Sequence, residues 1–252
     1  MIQEETTMMK KMIAFLMALT MLLSLSLACA EGITTLEKGK FIYSTSPDFP
    51  PFEYTDDNDN IVGIEPELIA LICEKIGLEA VPLPMDFDGA LEAAQSGKSD
   101  AIVSGVTVTE DRKLVYDFTT PYTTIIQAIV SKDGKITMDD LANVTIGVQR
   151  GTTGHIYAED DYENVIVYDT YSLAFQALQN GQVDCVILDD AVGNAYVKRI
   201  PGLGMQATTY EVEEYAFGVA KGNTALVEAI NNALAELTAD GTVQAIIDKY
   251  ME

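Results

Sequence analysis

Ser104-Gly105-Val106-Thr107-Val108-Thr109-Glu110-Asp111-Arg112 brings together small polar residues, free backbone N–H groups and one arginine. It reads as the end of a buried strand (Ala101-Ile102-Val103), a loop, and the first turn of a helix. A helix N-terminus favours anions, and a guanidinium meets a carboxylate with two parallel hydrogen bonds. The stretch therefore suits a small-molecule carboxylate held without chemistry being done on it. Glu110 and Asp111 adjoin Arg112 but do not face it on a helix, so a local ion pair is the weaker reading. Asp189-Asp190 could form an acid/base pair, but adjacent residues diverge; Asp189 suits a ligand contact and Asp190 a helix cap. His155 is the only histidine, no nucleophile elbow or zinc pair occurs, and His155 reads as a surface residue at a helix start. Asp56, Asn58, Asn60 and Glu67 match a calcium-loop spacing, but Ile61 stands where glycine is needed, so a hairpin turn is expected.

These residues need elements to position them. A strand from Phe41, a rigid turn through Pro50-Pro51 and a hairpin lead to a helix whose Leu68, Ile69, Ile72 and Ile76 share one face and which Gly77 ends. A strand at 80–84 and a helix at 89–95, capped by Asp88, follow. Tyr122 to Ser131 is β-rich. The β/α alternation then restarts: strands at 144–148, 165–168 and 183–188, a loop at 150–154, and helices at 172–178 and from Asp190. A second β-rich stretch, 208–220, precedes two final helices. The expected fold class is α/β: two sheets of mostly parallel strands joined by two crossing hinge segments, with the ligand cleft between. The expected domains are 31–126 plus 218–252 for the first lobe and 127–217 for the second. Ligands in such sheets sit beyond the carboxyl ends of strands.

The chain has 252 residues, 48% apolar and 21% charged, and a formal net charge of -24. That composition supports a packed core and argues against nucleic-acid or anionic-membrane binding through a basic patch. Lys10 and Lys11, the uncharged apolar run 12–27, and Ala28-Cys29-Ala30 fit a secretory leader, residues 1–30, removed on export. Cys29 is alternatively a lipidation site that would anchor the chain at the cell surface. Cys73 and Cys185 lie in apolar patterns and are expected as buried free thiols.

Ser46-Pro47-Asp48-Phe49-Pro50-Pro51-Phe52-Glu53-Tyr54, Gly63-Ile64-Glu65-Pro66-Glu67-Leu68, Met85-Asp86-Phe87, 105–112 and 148–154, in that order, resemble the amino-acid substrate-binding proteins of ABC importers. The resemblance is to solute-binding family 3, similar to glutamine- and histidine-binding proteins. It implies a periplasmic-binding-protein-like fold, a monomer that delivers a polar amino acid to ABC permease subunits, and no cofactor. It implies that Arg112, Thr107 and the backbone N–H groups near Gly105 and Thr107 hold the ligand carboxylate, with Ser104 in the same loop. Thr152 and Thr153 reach the carboxylate from the second lobe, Asp189 accepts the ammonium, Phe49 and Phe87 flank the side chain, and Gln149 reads it. The sequence departs from the family at Ser46, where an acidic residue is common. Two other readings of the fold are a cyclohexadienyl-dehydratase-like enzyme, with Glu53, Asp189 or Asp190 as its acid, and a detached amino-acid sensor module.

Overall fold

A computed structural model describes residues 32–251; the leader and Cys29 lie outside the described residues. In the first sheet β1 (Lys40–Thr45) pairs in parallel with β5 (Glu79–Pro84) and β6 (Ala101–Ile102). β15 (Gly218–Ala220) runs antiparallel between β6 and β7 (Tyr116–Phe118), giving the order β5-β1-β6-β15-β7. In the second sheet β10 (Ile146–Gln149) pairs in parallel with β11 (Val165–Tyr168) and β12 (Cys185–Asp189). β9 (Gln127–Lys132) runs antiparallel between β12 and β13 (Leu203–Ala207), giving β11-β10-β12-β9-β13. Four strands of each sheet thus point one way and one is reversed.

The reversed strands are the ones the chain enters after crossing. β8 (Thr123–Ile125) continues into β9, and β14 (Glu213–Tyr215) continues into β15. β8 and β14 pair antiparallel with each other, forming a two-stranded hinge. The β-rich segment at 122–131 is therefore two strands, broken at Ile126, whose carbonyl accepts from Asp190 N. β13 went unread because Leu-Gly-Met-Gln-Ala carries neither alternation nor β-branched residues.

Helices cover the sheets where their apolar stripes allow. In α1 (Ile64–Ile76), Leu68, Ile69, Ile72 and Ile76 are buried, and Gly77 ends it in the left-handed conformation. α1 packs against α7 (Thr224–Ala239) and α8 (Thr242–Met251). In α7, Leu226, Ile230, Ala233, Leu234 and Leu237 make the facing stripe at helical spacing. Each such buried Leu or Ile contributes about 1.5–3 kcal/mol. The C-terminal helices thereby return to the first sheet.

Two boundaries differ from the sequence reading. α2 (Phe87–Gln95) is capped by Asp86, whose carboxylate accepts from Gly89 N at 2.9 Å, rather than by Asp88. α4 (Thr153–Asp161) begins inside the expected loop, with Thr152 as its cap. A small sheet of β2 (Asp48–Phe49), β3 (Glu53–Thr55) and β4 (Ile61–Val62) projects towards the cleft. Its acidic turn is closed by the Asp56 carboxylate, which accepts from Asn58 N and Asn60 N at 2.8 and 2.9 Å. This is the expected hairpin turn, and no metal-ligand grouping occurs among the described residues. Cys73 and Cys185 are buried free thiols.

Candidate functional site

The ends of β1, β6, β10 and β12 meet around one narrow cavity. The eleven residues singled out above all line it: Ser46, Phe49, Phe87, Ser104, Gly105 and Thr107, together with Arg112, Gln149, Thr152, Thr153 and Asp189. Two further residues, Asp48 and Glu53, complete the lining.

The arginine is set by its loop. Thr109 caps α3 (Glu110–Val115) by accepting from Arg112 N, so the first helical turn aims the guanidinium back over the loop. Nη1 donates to Thr107 O and Nη2 to Gly151 O, each at 2.9 Å. Gly151 lies between β10 and α4, so the second bond joins the two lobes. Of the five guanidinium donors, three remain. Burial depresses the pKa of Arg112, with the Glu213 carboxylate opposing. Phe87 lies against it, 5.7 Å from ring centre to guanidinium carbon.

Glycine is needed at position 105 for two reasons. Its φ is 53°, and a Cβ there would come within 2.5 Å of Phe49 Cε1. The Gly105 N–H, expected at the ligand, instead donates to Glu65 Oε2 at 3.0 Å. The next amide is differently placed. Thr107 faces Tyr215 in an antiparallel bridge whose bonds run through Val108 N and Ala216 N, leaving the Thr107 N–H outside the ladder.

Asp189 ends β12 and caps α6 (Asp190–Arg199) without a side-chain capping bond, which frees its carboxylate for the cavity. Oδ1 accepts from Gln127 Nε2 at 2.7 Å. Burial, reinforced by Glu213, pushes the Asp189 carboxyl up to about 8. Asp190 turns away, accepting from Ala191 N at 2.8 Å. Glu213, in β14, ties both lobes. Its Oε2 accepts from Thr107 Oγ1 at 2.5 Å and from Thr153 Oγ1 at 2.8 Å, and its Oε1 from Gln127 Nε2 at 3.2 Å. Sequence reasoning missed Glu213 and Gln127, since nothing in a crossing strand marks a buried acid or amide.

Thr152 Oγ1 is engaged in capping, accepting from His155 N and donating to Gln149 O. His155 is not a free surface residue: Nδ1 accepts from Gly151 N at 3.2 Å, and Nε2 lies 3.1 Å from Glu159. Gln149 is buried, with Nε2 donating to Asp169 O at 3.2 Å.

Asp48 and Glu53 stood in the quoted motif around Phe49, but neither was counted as a ligand-binding residue. Asp48 Oδ1 accepts from Ser46 Oγ at 3.0 Å. Its Oδ2 accepts from Tyr171 N at 2.9 Å, at the start of α5 (Tyr171–Asn180) in the other lobe. Phe49 stacks on Tyr171, ring centres 5.7 Å apart. Tyr196 OH donates to Asp48 O at 3.0 Å. Glu53 is fully buried, accepts from Ser104 Oγ at 2.8 Å, and has a second oxygen with no donor.

Phe41 to the C-terminus, residues 41–252, matches the family model of bacterial extracellular solute-binding proteins, family 3. The ABC transporter arginine-binding protein 1 of Escherichia coli K12 is 36% identical, over 87% of this chain and 93% of its own length. The L-cystine-binding protein TcyJ of the same organism is 33% identical, over 85% and 83%. Among solved structures, an ancestral arginine-binding protein bound to glutamine superposes with a TM-score of 0.81 at 40% identity, covering 85% of this chain and 98% of that one. The amino acid ABC transporter substrate-binding protein AbpA of Streptococcus pneumoniae, bound to L-arginine, gives a TM-score of 0.81 at 32% identity, covering 85% and 95%. With its two sheets joined by a pair of crossing strands and the cavity between them, the chain belongs to the bacterial extracellular solute-binding proteins of family 3.

Proposed function

We infer that this chain is the amino-acid-capturing component of an ABC importer, and that it takes an α-amino acid with a cationic side chain. The observation that carries the reading is the convergence of Arg112 and Asp189, from different lobes, on one cavity. Arg112 and the Thr107 N–H would take the α-carboxylate, and Asp189 the α-ammonium. These two contacts match the zwitterion charge for charge. Asp48 and Glu53 are then left over on the same wall, with no lining cation among the described residues besides Arg112. The unmatched acids favour a guanidinium or ammonium on the side chain, flanked by Phe49 and Phe87. A relative named for arginine and another bound to it support that charge count. Ser46, Ser104, Gln149, Thr152 and Thr153 supply polar shape around the ligand.

Each charge-assisted hydrogen bond contributes about 1.5–3 kcal/mol net. Four or five, less the cost of association, correspond to micromolar affinity or tighter. The ligand contacts both lobes and so stabilises the closed arrangement over an open one. We read residues 31–126 with 218–252 as one moving lobe and 127–217 as the other. The closed monomer would dock on the permease subunits, binding without turnover. The relatives' extracellular placement fits an exported chain, released after residue 30 or anchored through Cys29.

A thermal-shift panel of the twenty amino acids with ornithine, citrulline and cystine tests the reading, since a ligand raises apparent stability by mass action. Arginine, ornithine and lysine should give the largest shifts. A flat response across the panel would sink it.

A further inference from the structure

Beneath the side-chain end of the cavity lies a pair of acids with no counter-ion among the described residues. Glu53, on β3, and Glu65, in the first turn of α1, are both fully buried, and they accept from the neighbouring residues Ser104 and Gly105, which sets the two carboxyl groups side by side. Two carboxyl groups in contact cannot both ionise, so one proton must lie between them. The donors around them fix where it sits. Glu65 already accepts from Tyr122 OH on Oε1, at 2.5 Å, and from Gly105 N on Oε2, at 3.0 Å. Glu53 accepts only from Ser104 Oγ, and its Oε2 is buried without a donor. Glu65 is thus the better-solvated carboxylate and Glu53 the protonated partner.

Among the described residues the surroundings do not supply a competing cation. Facing the pair are Asp48 from β2, Tyr43 from β1 and Tyr122 from the segment before β8. Arg112, across the cavity, bonds Thr107 O and Gly151 O. The pair's polar partners all belong to the first sheet's loops or the segment leading to the hinge.

We propose that Glu53 and Glu65 hold one exchangeable proton at the side-chain end of the cleft, and that a cationic side chain displaces it. Glu53–COOH then becomes a carboxylate paired with the ligand's guanidinium or ammonium, and the proton leaves to solvent. A neutral side chain of the same shape leaves the proton in place. Capture of a cationic amino acid is thus coupled to release of one proton, and its affinity rises with pH while the pair is protonated. Burial, together with Glu65, raises the Glu53 carboxyl well above its ordinary value. The proposal rests on the amino-acid reading above, and its test separates the two.

Titration calorimetry at pH 6.5, in buffers of low and high ionisation enthalpy, counts the protons released. L-Citrulline replaces the guanidinium of L-arginine with a neutral ureido group. Any proton from Asp189 is common to both ligands and cancels. Arginine should release about one proton more than citrulline, and its affinity should climb more steeply with pH than citrulline's, by up to a further tenfold per unit. Glu65→Gln, which ends the sharing and lets Glu53 ionise in the empty cleft, should abolish arginine's excess while retaining binding. If citrulline does not bind, the arginine count in the parent protein against that in Glu65→Gln decides. Equal proton counts in these comparisons overturn the proposal and leave the amino-acid reading intact. No heat from any amino acid overturns both.

Discussion

Arg112→Lys keeps the positive charge and removes the fork, which makes it a sharper probe than truncation. The guanidinium meets a carboxylate with two parallel N–H donors, whereas lysine offers a single point of contact. One charge-assisted bond to the ligand is lost, at about 1.5–3 kcal/mol. The bond from Nη2 to Gly151 O is also lost. It spans the two lobes and forms only when they meet, so its loss adds about 1 kcal/mol against closure. The total, about 3 kcal/mol, corresponds to a Kd on the order of 100-fold weaker. Calorimetry with arginine measures the loss. Thermal unfolding without ligand checks that the variant keeps its fold, which it should, since α3 retains its Thr109 cap. A variant Kd within threefold of the parent would falsify the assignment of Arg112 to the carboxylate.

Asp48→Asn removes a charge from the start of α5 while keeping the shape. The carboxylate–helix contact is worth about 1–2 kcal/mol, so arginine should bind roughly 5- to 30-fold more weakly, and small-angle scattering should show a larger ligand-free radius of gyration. Asp189, raised to about 8 from an ordinary 3.8, binds a proton in the folded state that the unfolded chain releases. Its stabilising contribution is complete below about pH 4 and is lost up to about pH 8, at no more than about 1.4 kcal/mol per unit. The ligand-free melting temperature should therefore fall more steeply between pH 5 and 8 in the parent than in Asp189→Asn; parallel profiles would refute this. Gly105→Ala forces a side chain into a left-handed position against Phe49, at a strain of about 1–3 kcal/mol, and binding should drop more than tenfold by calorimetry.

The alternation of strands and helices was legible because its signals are local. Leu68, Ile69, Ile72 and Ile76 declare a stripe, Gly77 a stop, and Thr109 a cap, each within a few residues. The cavity lining was legible where a motif carried it, as in the loop from Ser104 to Arg112. What escaped depends on pairings distant in sequence. Glu213 joins the site because β14 pairs with β8 and brings it within reach of Thr107, 106 residues away. Asp48 reaches Tyr171 N across 123 residues, and only the approach of the lobes creates that contact. The Gly105 amide was assigned to a ligand because a sequence does not show that Glu65 competes for it.

The placement of β15 has a consequence for how the chain is made. β15 sits between β6 and β7, so the first sheet stays split in two until residues 218–220 have emerged. The second sheet draws all five strands from the unbroken stretch 127–207. During synthesis and export, then, the half that begins the chain is the half that finishes last. Until then the partner-facing edges of β6 and β7 stay open, as does the surface that α7 and α8 will cover, and such edges and apolar faces invite aggregation. A chain that stalls before Gly218 would hold one complete sheet and one orphaned one. Refolding followed by hydrogen exchange should accordingly protect β10 and β12 before β6 and β7.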